Sequence, residues 1–269
     1  MKVVLSIAGS DSSGGAGIQA DLKSFEAFGL FGTTAITVLT AQNTKGVTDI
    51  HEVSPLFVKE QINAVLEDFD VAAIKVGMLF SNEIIDVVRE IIKNLDIPIV
   101  VDPVFISKAG SKLLNDDAIE NLKTLFPYAT LITPNRFEAE ALFGYKKDDE
   151  SSIKSLFNQP YKILVKHEST EEHQVFHSVD TLYNKNQMYH FRTPSLQSKN
   201  THGTGCSFSS AIAANLALGK SLKESIEISK NFIYLGIKNA PNIGHGKGPI
   251  AHKLAVELSK GAVNEHVYS

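Results

Sequence analysis

Apolar and polar positions fall into two alternating rhythms along the chain. Runs of apolar, largely β-branched residues at 2–8, 33–41, 72–76, 98–103, 130–133 and 161–166 predict strands, most of them covered on both faces. Between them apolar residues recur at helical spacing. Ile18, Leu22, Phe25 and Phe28 mark a helix closed by Gly29. Phe57, Ile62, Val65 and Leu66 mark a second, opened by Pro55. Ile84, Ile85, Val88 and Ile91 mark a third over 81–94, with Ser81 as its cap. A fourth ends near Gly144 and begins at Asn135, with Glu138 spaced to close a capping box. This alternation predicts an α/β fold built on a mostly parallel sheet with helices on both faces.

The rhythm changes further on. Residues 146–160 are polar and charged, a surface helix or loop. Residues 173–192 alternate around Asn184-Lys185-Asn186, which predicts antiparallel strands at a sheet edge. Helices are expected over 203–218, 222–239 and onward to about 258, with 259–269 a loose tail. The segment 47–53 reads as a short strand leaving the main sheet, and 104–114, rich in Gly, Ser and Lys, as a cover. Neither a repeat nor a linker interrupts the pattern, so one domain over 1–269 is expected.

Composition narrows the class. With 26 Lys and Arg against 30 Asp and Glu, the net charge of −4 offers no basic field for nucleic acid or an anionic membrane. One Cys excludes an intramolecular disulfide and fits a reducing compartment. The opening apolar run is too short for a secretory leader, and no stretch has bilayer length, so a cytoplasmic location is expected.

The candidate chemistry collects where strands end. Gly9-Ser10-Asp11-Ser12-Ser13-Gly14-Gly15-Ala16-Gly17 links the first strand and helix. It matches neither a P-loop nor a GxGxxG fingerprint, but three glycines in four residues suggest the close approach of a ligand; a plain turn is the alternative. Gln42 can both donate and accept, which suits a flat heterocycle bearing an amino group. Asp102, the Asn135–Glu138 pair and Lys166 end later strands. Asn200-Thr201-His202-Gly203-Thr204-Gly205-Cys206 opens a helix of small residues, whose bare N–H groups and partial positive charge favour an anion and a thiolate. The same stretch is also readable as a Gly-rich turn with a packed Cys. Strand ends of an open α/β sheet converge on one crevice. Carboxylates for magnesium together with a helix start for phosphoryl charge are the parts of a phosphoryl-transfer site.

The sequence resembles the hydroxymethylpyrimidine/phosphomethylpyrimidine kinases of thiamine biosynthesis, members of the ribokinase-like superfamily. The matching stretches are 8–23, Ala41-Gln42-Asn43-Thr44-Lys45-Gly46-Val47, Lys75-Val76-Gly77-Met78-Leu79, Val101-Asp102-Pro103-Val104, Thr133-Pro134-Asn135 with Glu138, and Thr201 through Cys206. The resemblance implies a three-layer α/β/α sandwich that phosphorylates an aminopyrimidine alcohol and its monophosphate with ATP and Mg2+. It places Cys206 as the base, where most ribokinase relatives carry Asp, and Gly203, Thr204 and Gly205 as the anion hole. It implies that Gln42 reads the aminopyrimidine edge, that Gly9, Ala16, Met78 and Val104 surround the ring, and that Asp21 hydrogen-bonds the substrate. Glu138 and Asp102 would hold the metal, with Asp102, Asn135, Lys166, Thr201 and Lys247 toward the nucleotide. A homodimer through edge strands is also implied.

Two departures stand out. His167-Glu168-Ser169 replaces a Gly-Gly-His run, and Lys247 replaces a frequent His, as a phosphate contact or a solvated loop cation. Pyridoxal kinases of this type, the alternative reading, tend to carry a second Cys in the cover. Ser107 stands there in this chain, and serine is far less nucleophilic near neutral pH. A silent pyrimidine- or pyridoxal-phosphate-binding relative is the other class, against which the retained base and metal residues argue.

Overall fold

The computed structural model of the chain describes residues 1–105, 116–172 and 175–265. Nine strands form one sheet: β1 (Val3–Asp11), β2 (Phe31–Asn43), β3 (Gly46–Glu52), β4 (Val71–Val76), β5 (Ile99–Val101), β6 (Leu131–Ile132), β7 (Ile163–Glu172), β8 (Val175–Asn184) and β9 (Gln187–Pro194). Their spatial order is β3-β2-β1-β4-β5-β6-β7-β8-β9. Six strands, β2 through β7 in that order, are parallel; β3 at one edge and β8 and β9 at the other are antiparallel. Because β1 lies between β2 and β4, chain direction across the sheet reverses beside β1, and the crevice of such a sheet opens at that switch.

The helices are α1 (Gly17–Ala27), α2 (Pro55–Asp68), α3 (Asn82–Ile92), α4 (Asp116–Leu122), α5 (Arg136–Phe143), α6 (Glu150–Phe157), α7 (Thr204–Ala217), α8 (Leu222–Lys238) and α9 (His252–Glu265). Strand alternation sends Leu5, Ile7, Ile74, Val76, Val101 and Ile132 toward α2, α3 and α4. Val4, Ala73, Val100, Leu131 and Leu164 pack instead under α7 and α8, against Phe208, Ala211, Ile212 and Phe232. The result is the expected α/β/α sandwich.

Several local expectations change. The segment 47–53 stays in the sheet as β3, registered on β2 from Val38↔Glu52 to Asn43↔Gly46. Strand β1 runs past Gly9 to Asp11, because a register shift between Ala8 and Ser10 keeps it paired with β2. Ser81 sits at the start of α3 without capping it, and its hydroxyl is buried unpartnered. The expected tail is helical to Glu265. The expected cover falls mostly at 106–115, including Ser107, outside the described residues, as do the side chains of His167, Glu168 and Ser169. Among the described residues no helix is long and apolar enough to cross a membrane.

Candidate active site

Three groups of side chains meet at the carboxyl ends of the parallel strands. The first surrounds Asp102, just past β5. Its carboxylate accepts hydrogen bonds from Lys166 Nζ at 2.6 Å, Thr133 Oγ1 at 3.1 Å and Ser209 Oγ at 3.1 Å. Burial raises the Asp102 pKa, but Lys166 and Lys75 outweigh burial and hold it below the usual range. Burial likewise opposes the charge on Lys166, and Asp102 and Glu138 overcome it.

Glu138 completes this group. Asn135 caps α5 by accepting from the Glu138 N–H at 3.0 Å, while the Asn135 N–H donates to Glu138 Oε2 at 2.8 Å. The capping box is therefore real, and it aims a buried carboxyl into the crevice. Burial pushes that carboxyl up to about 8; Lys166 pulls it down, Asp102 pushes it up, and N–H bonds from Asn135 and Phe105 pull it down. Two buried carboxylates thus share the charge of Lys166, and among the described residues no ion pair belongs to Glu138 alone. Among the described residues no cluster of three or more His, Cys, Asp or Glu exists. A hard divalent ion fits Glu138 and Asp102 only if phosphate and water oxygens complete its shell.

The second group is the start of α7. Gly203 precedes it at φ 74°, and a β-carbon there would fall 1.7 Å from Gly15 O and 3.0 Å from Ala16 Cα. Two glycines of the first loop also serve the packing of loop against loop: a β-carbon on Gly15 would meet the His202 ring at 2.2 Å, and one on Gly17 would meet Gly9 O at 2.3 Å. A β-carbon on Gly205 would stand 3.5 Å from Lys166 Nζ and 3.9 Å from Asp102 Oδ2, so this helix start faces the first group. The Thr204 N–H makes a long 3.4 Å bond to Thr201 O, and the Thr204 hydroxyl donates to the same carbonyl at 3.0 Å.

Cys206 follows, half-buried and free. The helix start does not favour its thiolate as expected. Burial pushes the thiol above its ordinary value, and Asp21 and Asp102 add to that, against the pull of Lys75 and of a Gly17 N–H. Asp21 is also placed differently from expectation. It has no exposed surface, and its two oxygens accept from Lys75 at 3.0 and 2.8 Å, Ser6 at 2.6 Å and Ser210 at 2.7 Å. It lies beneath the crevice and fixes Lys75, which burial would neutralise were Asp21, Cys206 and Asp102 not nearby.

The third group lines the β1–β2 side. A β-carbon on Gly9 would lie 2.7 Å from Val38 Cγ1 and 3.3 Å from Met78 Cε, so Gly9 and Met78 adjoin. Val104 is half-buried, two residues past Asp102. Half-buried Gln42 lies between Thr40 and His202, and His202 Nε2 is 2.7 Å from Asp11 Oδ2. Lys247 is exposed on a loop whose N–H groups at Lys247 and Gly246 bond to Thr44, beyond Gln42.

The residues missed in the sequence are Lys75, Thr133, His202 and Ser209. Lys75 stands inside an apolar strand, where a lone cation is itself a signal of a buried partner.

A family model described as phosphomethylpyrimidine kinase matches residues 11–251. The chain belongs to the phosphomethylpyrimidine kinase family. It is 43% identical over 258 residues to the thiamine biosynthesis bifunctional protein ThiED of Geobacter sulfurreducens, covering 94% of this chain and 53% of that longer protein. It is 42% identical to the hydroxymethylpyrimidine/phosphomethylpyrimidine kinase of Haemophilus influenzae, covering 94% of this chain and 97% of the relative. The crystal structure of phosphomethylpyrimidine kinase from Clostridium difficile 630 matches with a TM-score of 0.74 at 41% identity, over 87% of this chain and 98% of that one. An ADP complex of Bacillus subtilis pyridoxal kinase matches with a TM-score of 0.82 at 32% identity, over 94% and 98%. These neighbours place the sandwich among ribokinase-like folds.

Proposed function

We propose that the protein transfers the γ-phosphoryl group of ATP to 4-amino-5-hydroxymethyl-2-methylpyrimidine and then to its monophosphate, in thiamine biosynthesis. The observation that carries this reading is the placement of Gly205 against Lys166 and Asp102, which turns a helix start and a buried cation toward one point beside the only thiol. The substrate lies against Gly9, Ala16, Met78 and Val104 with its amino edge on Gln42. Its hydroxyl gives a proton to Cys206, its oxygen bonds the γ-phosphorus, and the bond to the β-phosphate oxygen breaks. N–H groups of Gly203, Thr204 and Gly205 face the charge on the transferred group, and Lys166 adds its cation. Glu138 and Asp102 would hold Mg2+, which would neutralise phosphate charge when bound, with Glu138 ionised to meet it. Asn135, Thr201 and Lys247 lie toward the nucleotide side in this reading. The nucleobase fits the cavity of about 140 Å³ lined by Pro194, Leu196, Phe208, Ile233, Tyr234 and Ile237 at the same end of the sheet.

A raised thiol pKa changes what kind of base Cys206 is. Only the thiolate can accept the substrate's proton, so a raised thiol pKa keeps the reactive fraction small near neutral pH and makes turnover climb with pH. We further propose a homodimer, in which a second copy covers Leu39, Val47, Ile50, Leu56 and Phe57, all exposed along β2, β3 and α2. The location is taken as cytoplasmic.

The higher TM-score to pyridoxal kinases favours, as a second reading, a kinase that also takes pyridoxal. ATP consumption with hydroxymethylpyrimidine, its monophosphate and pyridoxal separates the readings. Turnover of both pyrimidines supports the first. Turnover of pyridoxal alone overturns it, and a well-folded protein that turns over none of the three is a binding relative.

A further inference from the structure

The amide of Gln42 has two neighbours whose own hydrogen bonds fix what they offer it. Gln42 Oε1 is drawn 3.0 Å from Thr40 Oγ1, and Nε2 3.4 Å from His202 Nε2. The Thr40 hydroxyl has one hydrogen, and it points to Ser10 O, an acceptor, at 2.8 Å. Toward Gln42 the Thr40 oxygen therefore offers a lone pair, which calls for the NH2.

The His202 side argues the same way. Asp11 is ionised: burial alone would raise its pKa, but hydrogen bonds from His202, Ser13 and Ala16 hold it well below the usual carboxylate range. Its Oδ2 also accepts the N–H groups of Gly15 at 3.1 Å and Ala16 at 2.8 Å. A carboxylate oxygen accepts only, so His202 Nε2, 2.7 Å away, carries a hydrogen. A protonated Nε2 has no lone pair for an NH2 to meet, and its one hydrogen, given mainly to Asp11 and shared weakly across 3.4 Å, faces the carbonyl oxygen of Gln42. Two independent deductions thus turn the amide the same way, carbonyl toward His202 and NH2 toward Thr40.

We propose that Asp11 and His202 are positioning residues that set the polarity with which Gln42 reads its ligand; this rests on Gln42 being the substrate reader. After these bonds the amide keeps one lone pair and one hydrogen. The ligand edge that fits has a donor on the His202 side and an acceptor on the Thr40 side, as an exocyclic amino group beside an unprotonated ring nitrogen provides. The analogue with oxygen in place of that amino group presents the reverse, a carbonyl beside a ring N–H. It would have to turn the amide over and set two donors face to face at His202. The loop that carries Asp11 and the stretch that carries His202 lie 191 residues apart in sequence, so the selectivity of the pyrimidine pocket depends on their being docked together.

The test compares kcat/KM for the amino substrate and the oxo analogue in wild type, His202→Phe and Gln42→Ala, alongside 15N NMR of the histidine side chains. Wild type is expected to prefer the amino substrate by about 10- to 100-fold, the scale of leaving buried polar groups mispaired. In His202→Phe only Thr40 still orients the amide and the repulsion of two donors at His202 is gone, so the preference falls by about 5-fold or more, through a rise in KM larger than any fall in kcat. An unchanged preference in His202→Phe, with the preference lost in Gln42→Ala, overturns the proposal and leaves Gln42 as the reader. A preference retained in Gln42→Ala removes the reader itself and the proposal with it. Should His202→Phe not fold, the wild-type spectrum decides: hydrogen on Nε2 supports the proposal, and hydrogen on Nδ1 alone overturns it.

Discussion

Glu138→Gln should reverse the sign of its effect on stability between acid and alkaline pH. The wild-type carboxyl is pushed up to about 8 in the fold, against about 4.3 in an unfolded chain. A raised carboxyl binds its proton more tightly when folded, so stability is fully present below about pH 4 and falls as pH climbs toward 8. At about 1.4 kcal/mol per unit the loss is on the order of 3–5 kcal/mol by pH 8. Glutamine escapes this loss because it never ionises. It gives up one of the two N–H bonds that Glu138 accepts from Asn135 and Phe105, at about 1 kcal/mol. The variant should therefore be up to about 1 kcal/mol less stable than wild type near pH 4, where the carboxyl is still protonated in both states, and more stable than it near pH 8.5. Urea unfolding at both pH values, without metal, measures this directly. Adding Mg2+ with nucleotide at pH 8.5 should then stabilise wild type more than the variant. The same stability difference at pH 4 and 8.5 would refute the account of Glu138 as a buried acid with a raised pKa.

Three further outcomes can be measured. Cys206→Ala should retain pyrimidine binding and lower kcat by roughly 10²–10⁴-fold. Because the thiol is pushed above its ordinary value, wild-type kcat/KM should still be climbing at pH 9, and a climb unaltered in Cys206→Ala would assign it to another group. The two glycines of the anion loop should separate stability from chemistry. Gly203→Ala puts a β-carbon into Gly15 O at a left-handed φ and should cost about 2 kcal/mol or more, read as a lowered Tm. Gly205→Ala meets no atom closer than 3.5 Å and should leave Tm nearly unchanged while cutting turnover; equal melting of both variants contradicts this division. Ile50→Lys on β3 should yield monomers in light scattering if a second copy covers that face, and a wild-type protein that is already monomeric removes the dimer.

Most of the frame is readable from the chain because its signals are local. The strand at Ile99–Val101, the capping box of Asn135 and Glu138, and the turn at Asn184-Lys185-Asn186 each announce themselves within a few residues. The site is only partly readable, since its decisive contacts join distant segments. Cys206 looks activated when only its own helix is considered; burial, together with Asp21 and Asp102 from α1 and the end of β5, reverses that. Asp21 looks like a ligand group until Lys75, Ser6 and Ser210 are seen to occupy both of its oxygens. The glycines at 14, 15 and 17 look like a cradle, and only the fold shows that Gly15 is also needed for packing against Gly203 and His202. His202 has no local pattern at all, because its partner Asp11 is in another part of the chain.

The closure of α7 over the sheet has a consequence for how the protein is made. The pair Lys75–Asp21 is assembled from the first third of the chain, yet Ser210 and the face bearing Phe208, Ala211 and Ile212 come from the last third. A ribosome adding ~5–20 residues per second needs on the order of ten seconds to pass from Lys75 to Ser210. During that interval the nascent sheet presents Val4, Ala73 and Val100 to solvent beside an uncovered ion pair. The helix that carries Cys206 is thus also the lid of the core. A chain that stops short of it lacks Cys206 and exposes the apolar surface by which a chaperone or protease recognises an unfinished protein.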